Sequence, residues 1–195
     1  MNRRLLSALV PLLAIVALAA IPAAAQAEPH WYVKGKPLTK KKNVKTEAGL
    51  TIGPIPGTTI VVSCKVKDVE TLENPASGGP GIDLMKAFKV TSCGPNPCPV
   101  NSAGIAGALK VNALGLPWPS RLVEVPPIAD EISGITLEFT CKKTGPLFTL
   151  TGTLFPWVNL NQLEFTSGTG TLSGVPVTGF DNFLPPTNMV EAQNP

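Results

Sequence analysis

The sequence predicts an all-β fold, a single-domain sandwich or barrel of roughly nine or ten short strands, and three observations carry that expectation. Apolar and polar residues alternate at period two over 60–67, 86–93, 135–143, 147–155 and 163–166, the signature of strands with one buried face. Turn residues fall between those stretches, at Gly53-Pro54, Asn74-Pro75, Gly78-Gly79-Pro80-Gly81, Gly94-Pro95, Pro126-Pro127 and Gly145-Pro146. Beyond the N-terminal segment no stretch sustains a 3.6-residue period; 103–108 and the piece around Asp130-Glu131 each have room for one helical turn at most. The 21 Pro and 18 Gly of the 195-residue chain fit many turns. A hydrophobic share of 44% supplies one core of ordinary domain size, so disorder is not the main state.

Taken in chain order, residues 1–27 read as a signal peptide. Arg3 and Arg4 give a positive start, no charge occurs from Leu5 to Ala27, and Ala25-Gln26-Ala27 after Pro22 places cleavage before Glu28. An uncleaved anchor is the competing reading, since the run is long enough to cross a bilayer. After cleavage no membrane span is expected, and the absence of Cys before Cys64 excludes a lipid-anchored cysteine at the cleavage point. Residues 28–45 form a basic N-terminal arm, with Lys34, Lys36, Lys40, Lys41, Lys42 and Lys45 against Glu28. The arm keeps the protein soluble or touches an anionic polymer. Nucleic acid is not an expected partner, because only Trp31 and Tyr32 accompany the lysines and no Arg is interleaved.

The β domain then spans 46–183, with shorter strand candidates at 50–52, 109–112, 122–125, 170–173 and 175–180. In strand 86–93 the alternation puts Phe88 in the core and Lys89 in solvent. Residues 184–195, rich in Pro and Asn, are expected as a loose C-terminal tail.

Four cysteines in an exported chain imply disulfides, with three possible connectivities. Cys64 shares a face with Val62 and Val66, and Cys141 with Leu137 and Phe139, so both thiols should point inward and pair. Cys93 shares its face with Lys89 and Thr91 and is followed by Gly94-Pro95-Asn96-Pro97-Cys98, which suggests a local Cys93–Cys98 bridge. The spacings match no zinc pattern, and no Cys-x-x-Cys redox motif occurs.

Catalytic templates find little support. His30 is the only imidazole and lies two residues past the expected cleavage point, where it should be floppy, so no Ser-His-Asp or Cys-His apparatus can be assembled. The glycine cluster at 77–81 lacks the Gly-Lys-Ser/Thr ending of a phosphate loop. One His and scattered acids leave little for metals, and no Asp-x-Asp-x-Asp-Gly calcium loop is present. Glu124, Asp130, Glu131 and Glu138 offer carboxylate pairs of the kind a glycoside hydrolase uses, although Glu138 should face solvent. Trp118 in Leu116-Pro117-Trp118-Pro119 and Trp157 in Phe155-Pro156-Trp157-Val158 either present an indole to a sugar or plug the core ends.

Trp31-Tyr32-Val33-Lys34-Gly35-Lys36, Cys64-Lys65-Val66-Lys67-Asp68, Asn74-Pro75, Gly81-Ile82-Asp83, Cys98-Pro99, Leu116-Pro117-Trp118-Pro119 and Gly134-Ile135-Thr136-Leu137 with Cys141 stand in that order along 31–175. Together they resemble a set of uncharacterised secreted proteins from high-GC actinobacteria. The resemblance implies export and a cysteine framework and implies no activity. The sequence therefore reads as a secreted, disulfide-containing β domain, a non-catalytic binding or cell-envelope module needing no cofactor, with a cell-wall or extracellular polymer as partner. The alternative reading is a polysaccharide hydrolase using carboxylates. A secreted inhibitor presenting the 93–98 loop is a third.

Overall fold

The computed structural model describes residues 28–55, 57–99, 107–185 and 190–194; the expected signal peptide, 1–27, and most of the one-turn helix expected at 103–108 lie outside them. The described chain is all-β. Its strands are β1 (His30–Val33), β2 (Lys36–Pro37), β3 (Lys42–Ile52), β4 (Val62–Glu73), β5 (Ile82–Gly94), β6 (Leu109–Leu114) and β7 (Trp118–Val123). There follow β8 (Ala129–Cys141), β9 (Gly145–Leu154), β10 (Trp157–Asn159), β11 (Gln162–Phe165), β12 (Thr171–Leu172), β13 (Val175–Phe183) and β14 (Val190–Gln193). Fourteen strands exceed the sequence count because the long ones run through residues that break the alternation, and because short strands such as β2, β10 and β14 carry too few residues to show a period.

Eight antiparallel strands close a barrel in the order β3-β4-β5-β7-β8-β9-β12-β13 and back to β3. At one end β10 and β11 bridge β8 to β13 as a second closure. Closure removes free sheet edges from most of the circumference.

One sector stays open. β6 and β7 behave as a single interrupted strand along β8, kinked at Gly115–Pro117, where Gly115 takes a φ of 70°. Its β7 half also pairs with β5 over Ile82–Met85, whereas its β6 half pairs only with β8. β5 itself carries two bulges against β4, where Lys86 and Thr91 have no partner residue. Bulges bend and twist a strand, and the second half of β5 diverges from β6.

The arm and the tail are both built into the protein. β14, β1 and β2 form a separate three-stranded sheet, with Lys34 and Gly35 at φ 56° and 70° making the two-residue turn between β1 and β2. Trp31, on β1, is fully buried against Phe183 with ring centroids 6.4 Å apart, and its indole N–H donates to Ile82 O. The expected loose tail is therefore ordered over β14, with Val190 wholly buried. His30 is likewise held: it pairs with Gln193, and its Nε2 lies 3.0 Å from Gly79 O.

The disulfides correct the expected pairing. Cys64 bonds Cys93, and Cys98 bonds Cys141. The reason is the bulge at Thr91: Val90 faces Val66, Thr91 is extra, Ser92 faces Lys65, and Cys93 falls directly opposite Cys64. One inserted residue reverses the face of everything beyond it. Cys141 does point inward, 1% exposed, but toward the loop that carries Cys98. Phe88 faces inward and touches Trp118 at 5.4 Å, yet is only half-buried because it lies beside the open sector; Lys89 is exposed.

Candidate functional site

Two features stand out, one inside the barrel and one on its wall. Inside, β4 presents Val62, Cys64, Val66, Asp68, Glu70 and Leu72 to the interior by strict alternation. Asp68 and Glu70 thus enter the core on the same face as the apolar residues around them. β5 adds Asp83, β8 adds Asp130 and β13 adds Asp181; all five carboxyls are 0–4% exposed. The hydroxyls of Thr46 and Ser120 join them, at 1% and 8% exposure. Strand register brings these groups together: Thr46 lies across from Asp68, Asp83 across from Ser120, and Asp130 across from Leu122. Leu50, Ile52, Met85, Trp118, Ile132, Leu154 and Leu172 form an apolar stretch of the interior lining a small cavity of about 30 Å³. Trp31, Val44, Leu72 and Phe183 contribute further buried apolar surface to the same core.

Among the described residues no Lys, Arg or His is buried, so none of them brings a positive charge into this layer. Both oxygens of Asp68, Glu70 and Asp130, one oxygen each of Asp83 and Asp181, and the Thr46 and Ser120 hydroxyls meet no partner in hydrogen-bond geometry. Burial of carboxylates without counter-charge is costly, and the groups respond by favouring their neutral forms. Burial, then Asp181 and Asp83, push Asp68 up to about 9. Burial raises Glu70 well above the ordinary carboxyl range, reinforced by Asp83, Asp68, Asp181 and Asp130. Asp83 is raised well above that range by burial and Asp130, against the Leu84 backbone N–H. Burial lifts Asp130 to about 7 against the nearby Ser120 hydroxyl, and Asp181 to about 6 against the nearby Thr46 hydroxyl.

On the wall, the open sector between β5 and β6 forms a slit of about 550 Å³ lined by Phe88–Cys93 and Ala108–Ala113 with Lys142. Its lining includes Lys89, Lys110 and Lys142 and no carboxylate. None of these lysines is in an ion pair among the described residues, where the ion pairs are Lys41–Glu73, Lys67–Glu47 and Arg121–Glu131. The two disulfides pin the two lips. Cys64–Cys93 staples β5 to β4, and Cys98–Cys141 ties the approach to β6 onto the end of β8.

The residues singled out in the sequence are placed differently. Trp118 is 2% exposed, touches Phe88 and donates its indole N–H to Leu114 O, so its face is turned to the core and not to solvent. Trp157 is half-buried and pairs with Ala129 and Glu164. Of the candidate acids, Glu124 is exposed, Glu131 binds Arg121, and Glu138 accepts from Asn112 on the outer face. Asp130 alone joins the interior layer. The acids that look scattered along the sequence are gathered by the fold. The signal for two of them was present, since Asp68 and Glu70 stay in phase with Val62, Val66 and Leu72.

No family model, no curated protein and no solved structure matches this chain.

Proposed function

We propose that this protein is a secreted, non-catalytic binding module that takes an extended anionic polymer of the cell wall or extracellular matrix into the slit between β5 and β6. The observation that carries the reading is the lining: Lys89, Lys110 and Lys142 with Thr91, Ser92 and Asn112, unopposed by any carboxylate. Unpaired ammonium groups in an open groove attract a polyanion at long range and hold it through several weak contacts. A strand on either side with a free edge adds backbone donors and acceptors. The two disulfides support the reading, because a groove fixed in advance loses less entropy when it binds. They also fit an oxidising, extracellular compartment. Polysaccharide hydrolysis has no corresponding support: its carboxyls must line a cleft that a sugar enters, and the clustered acids of this barrel are sealed in the core.

The test is binding of a uronate-containing polysaccharide and of its neutral counterpart to the wild type and to the Lys89→Glu/Lys110→Glu variant. The wild type should bind the acidic polymer alone, more weakly as salt rises, and the variant should lose at least tenfold in affinity. Binding unchanged in the variant, or equal binding to double-stranded DNA, would contradict the reading.

A further inference from the structure

We propose that the barrel interior binds a Ca²⁺ ion through carboxylate oxygens of Asp68, Glu70 and Asp181, with the Thr46 hydroxyl beside Asp181 as a further ligand. Three features support it. One oxygen from each of the three carboxyls lies within 4.8 Å of the other two. Oxygens bound to a common Ca²⁺ at 2.3–2.6 Å stand no more than about 5 Å apart, so the spacing admits that ion. Mg²⁺ dehydrates reluctantly and is rarely held by protein oxygens alone, so a set sealed in the core suits the larger ion.

The second feature is a group that is not an acid. Thr46 Oγ1 is 1% exposed, lies beside Asp181, stands across the ladder from Asp68, and meets no partner in good hydrogen-bond geometry. A buried hydroxyl left without a partner is rare and costly, and as a neutral ligand to a hard cation it would be satisfied. The third is the chemistry of the donor set. It holds oxygen alone, with no His or thiol, which selects Ca²⁺ or Mg²⁺ over zinc or copper. No buried cationic side chain among the described residues competes for the site.

The location has a consequence for folding. The three ligand strands β4, β13 and β3 are joined only in the folded barrel, β13 to β3 and β3 to β4. The unfolded chain therefore offers no comparable site, and ion binding is linked to barrel closure. For an exported protein this makes the ion outside the cell part of folding. The inference does not depend on the polymer-binding reading, since the slit and the interior share none of these residues.

The experiment refolds the oxidised full chain in CaCl₂, in MgCl₂ or in EDTA, removes free metal by gel filtration, and measures bound metal by elemental analysis and the thermal unfolding midpoint. About one Ca²⁺ per chain should be retained, and the midpoint in about 1 mM CaCl₂ should exceed that in EDTA by several degrees, with a smaller rise in MgCl₂. Asp181→Asn should retain no Ca²⁺ and show no calcium-dependent rise, yet match or exceed the wild-type midpoint in EDTA, because one buried charge is gone. A wild type that refolds in CaCl₂ without bound Ca²⁺ and melts as it does in EDTA would overturn the proposal. So would a MgCl₂ rise equal to that in CaCl₂. The wild-type measurements decide the question even where the variant fails to fold, and Glu70→Gln supplies a second substitution.

Discussion

Asn74 holds β1 against the barrel through three hydrogen bonds from one side chain. Its Oδ1 accepts from the Trp31 N–H at 2.8 Å, and its Nδ2 donates to Trp31 O and Leu38 O at 2.9 and 3.1 Å. These bonds fix the backbone of the buried Trp31, whose ring also packs close to Gly81: a Cβ there would lie 2.8 Å from Trp31 Cδ1. Asn74→Ala should cost about 2–3 kcal/mol, as buried groups on the partner strand lose their bonds, and a chemical denaturation midpoint unchanged from wild type would refute this role. In the sequence Asn74-Pro75 reads only as a turn, because nothing local reveals that the side chain bonds a strand 43 residues earlier. Asp68 and Glu70 were more legible. Their phase with Val66 and Leu72 marks the inward face, but the general rule that carboxylates stay in solvent ends the predicted strand at Lys67, just before them.

At the scale of elements, alternation locates the strands well and their faces less well. The inward faces of β4 and of β8 from Ile135 to Cys141 are those that period two predicts, including Cys64 and Cys141, whereas a bulge between Ile132 and Ile135 shifts the phase of the first part of β8. β5 defeats the same reasoning, since unpaired Lys86 and Thr91 each shift the phase, and neither residue type signals a bulge. The observed pairing changes the expected energetics. Cys64–Cys93 and Cys98–Cys141 close loops of 29 and 43 residues, for which the chain-entropy estimate is roughly 3.5 and 4 kcal/mol. Replacing either pair by Ala should therefore lower stability by comparable amounts, where a local Cys93–Cys98 bridge would have contributed much less. Non-reduced peptide mapping should recover the 64–93 and 98–141 linked peptides. A markedly unequal loss between the two double variants would contradict the shared role in fixing the lips of the slit.

For the whole molecule, the all-β class follows from composition and period, while barrel closure does not. Closure depends on β13 meeting β3 and on β12 meeting β9, contacts between distant segments whose pairing no local pattern encodes. The same long-range pairing gathers Asp68, Glu70, Asp83, Asp130 and Asp181 into one interior layer, and that convergence gives folding stability a pH dependence. Its sign is definite. A carboxyl whose pKa is raised by folding binds its proton more tightly in the folded protein, so its contribution is fully present below the unfolded value near 4 and is lost as pH rises through the folded value. Asp181 at about 6, Asp130 at about 7 and Asp68 at about 9, with Glu70 and Asp83 also raised and no buried base among the described residues to face them, all act in one direction. The most direct test is the unfolding midpoint of the metal-free protein in EDTA between pH 5 and pH 8.5. The buried layer predicts a midpoint that falls continuously as pH rises; a midpoint that is flat or rises over that range would contradict it.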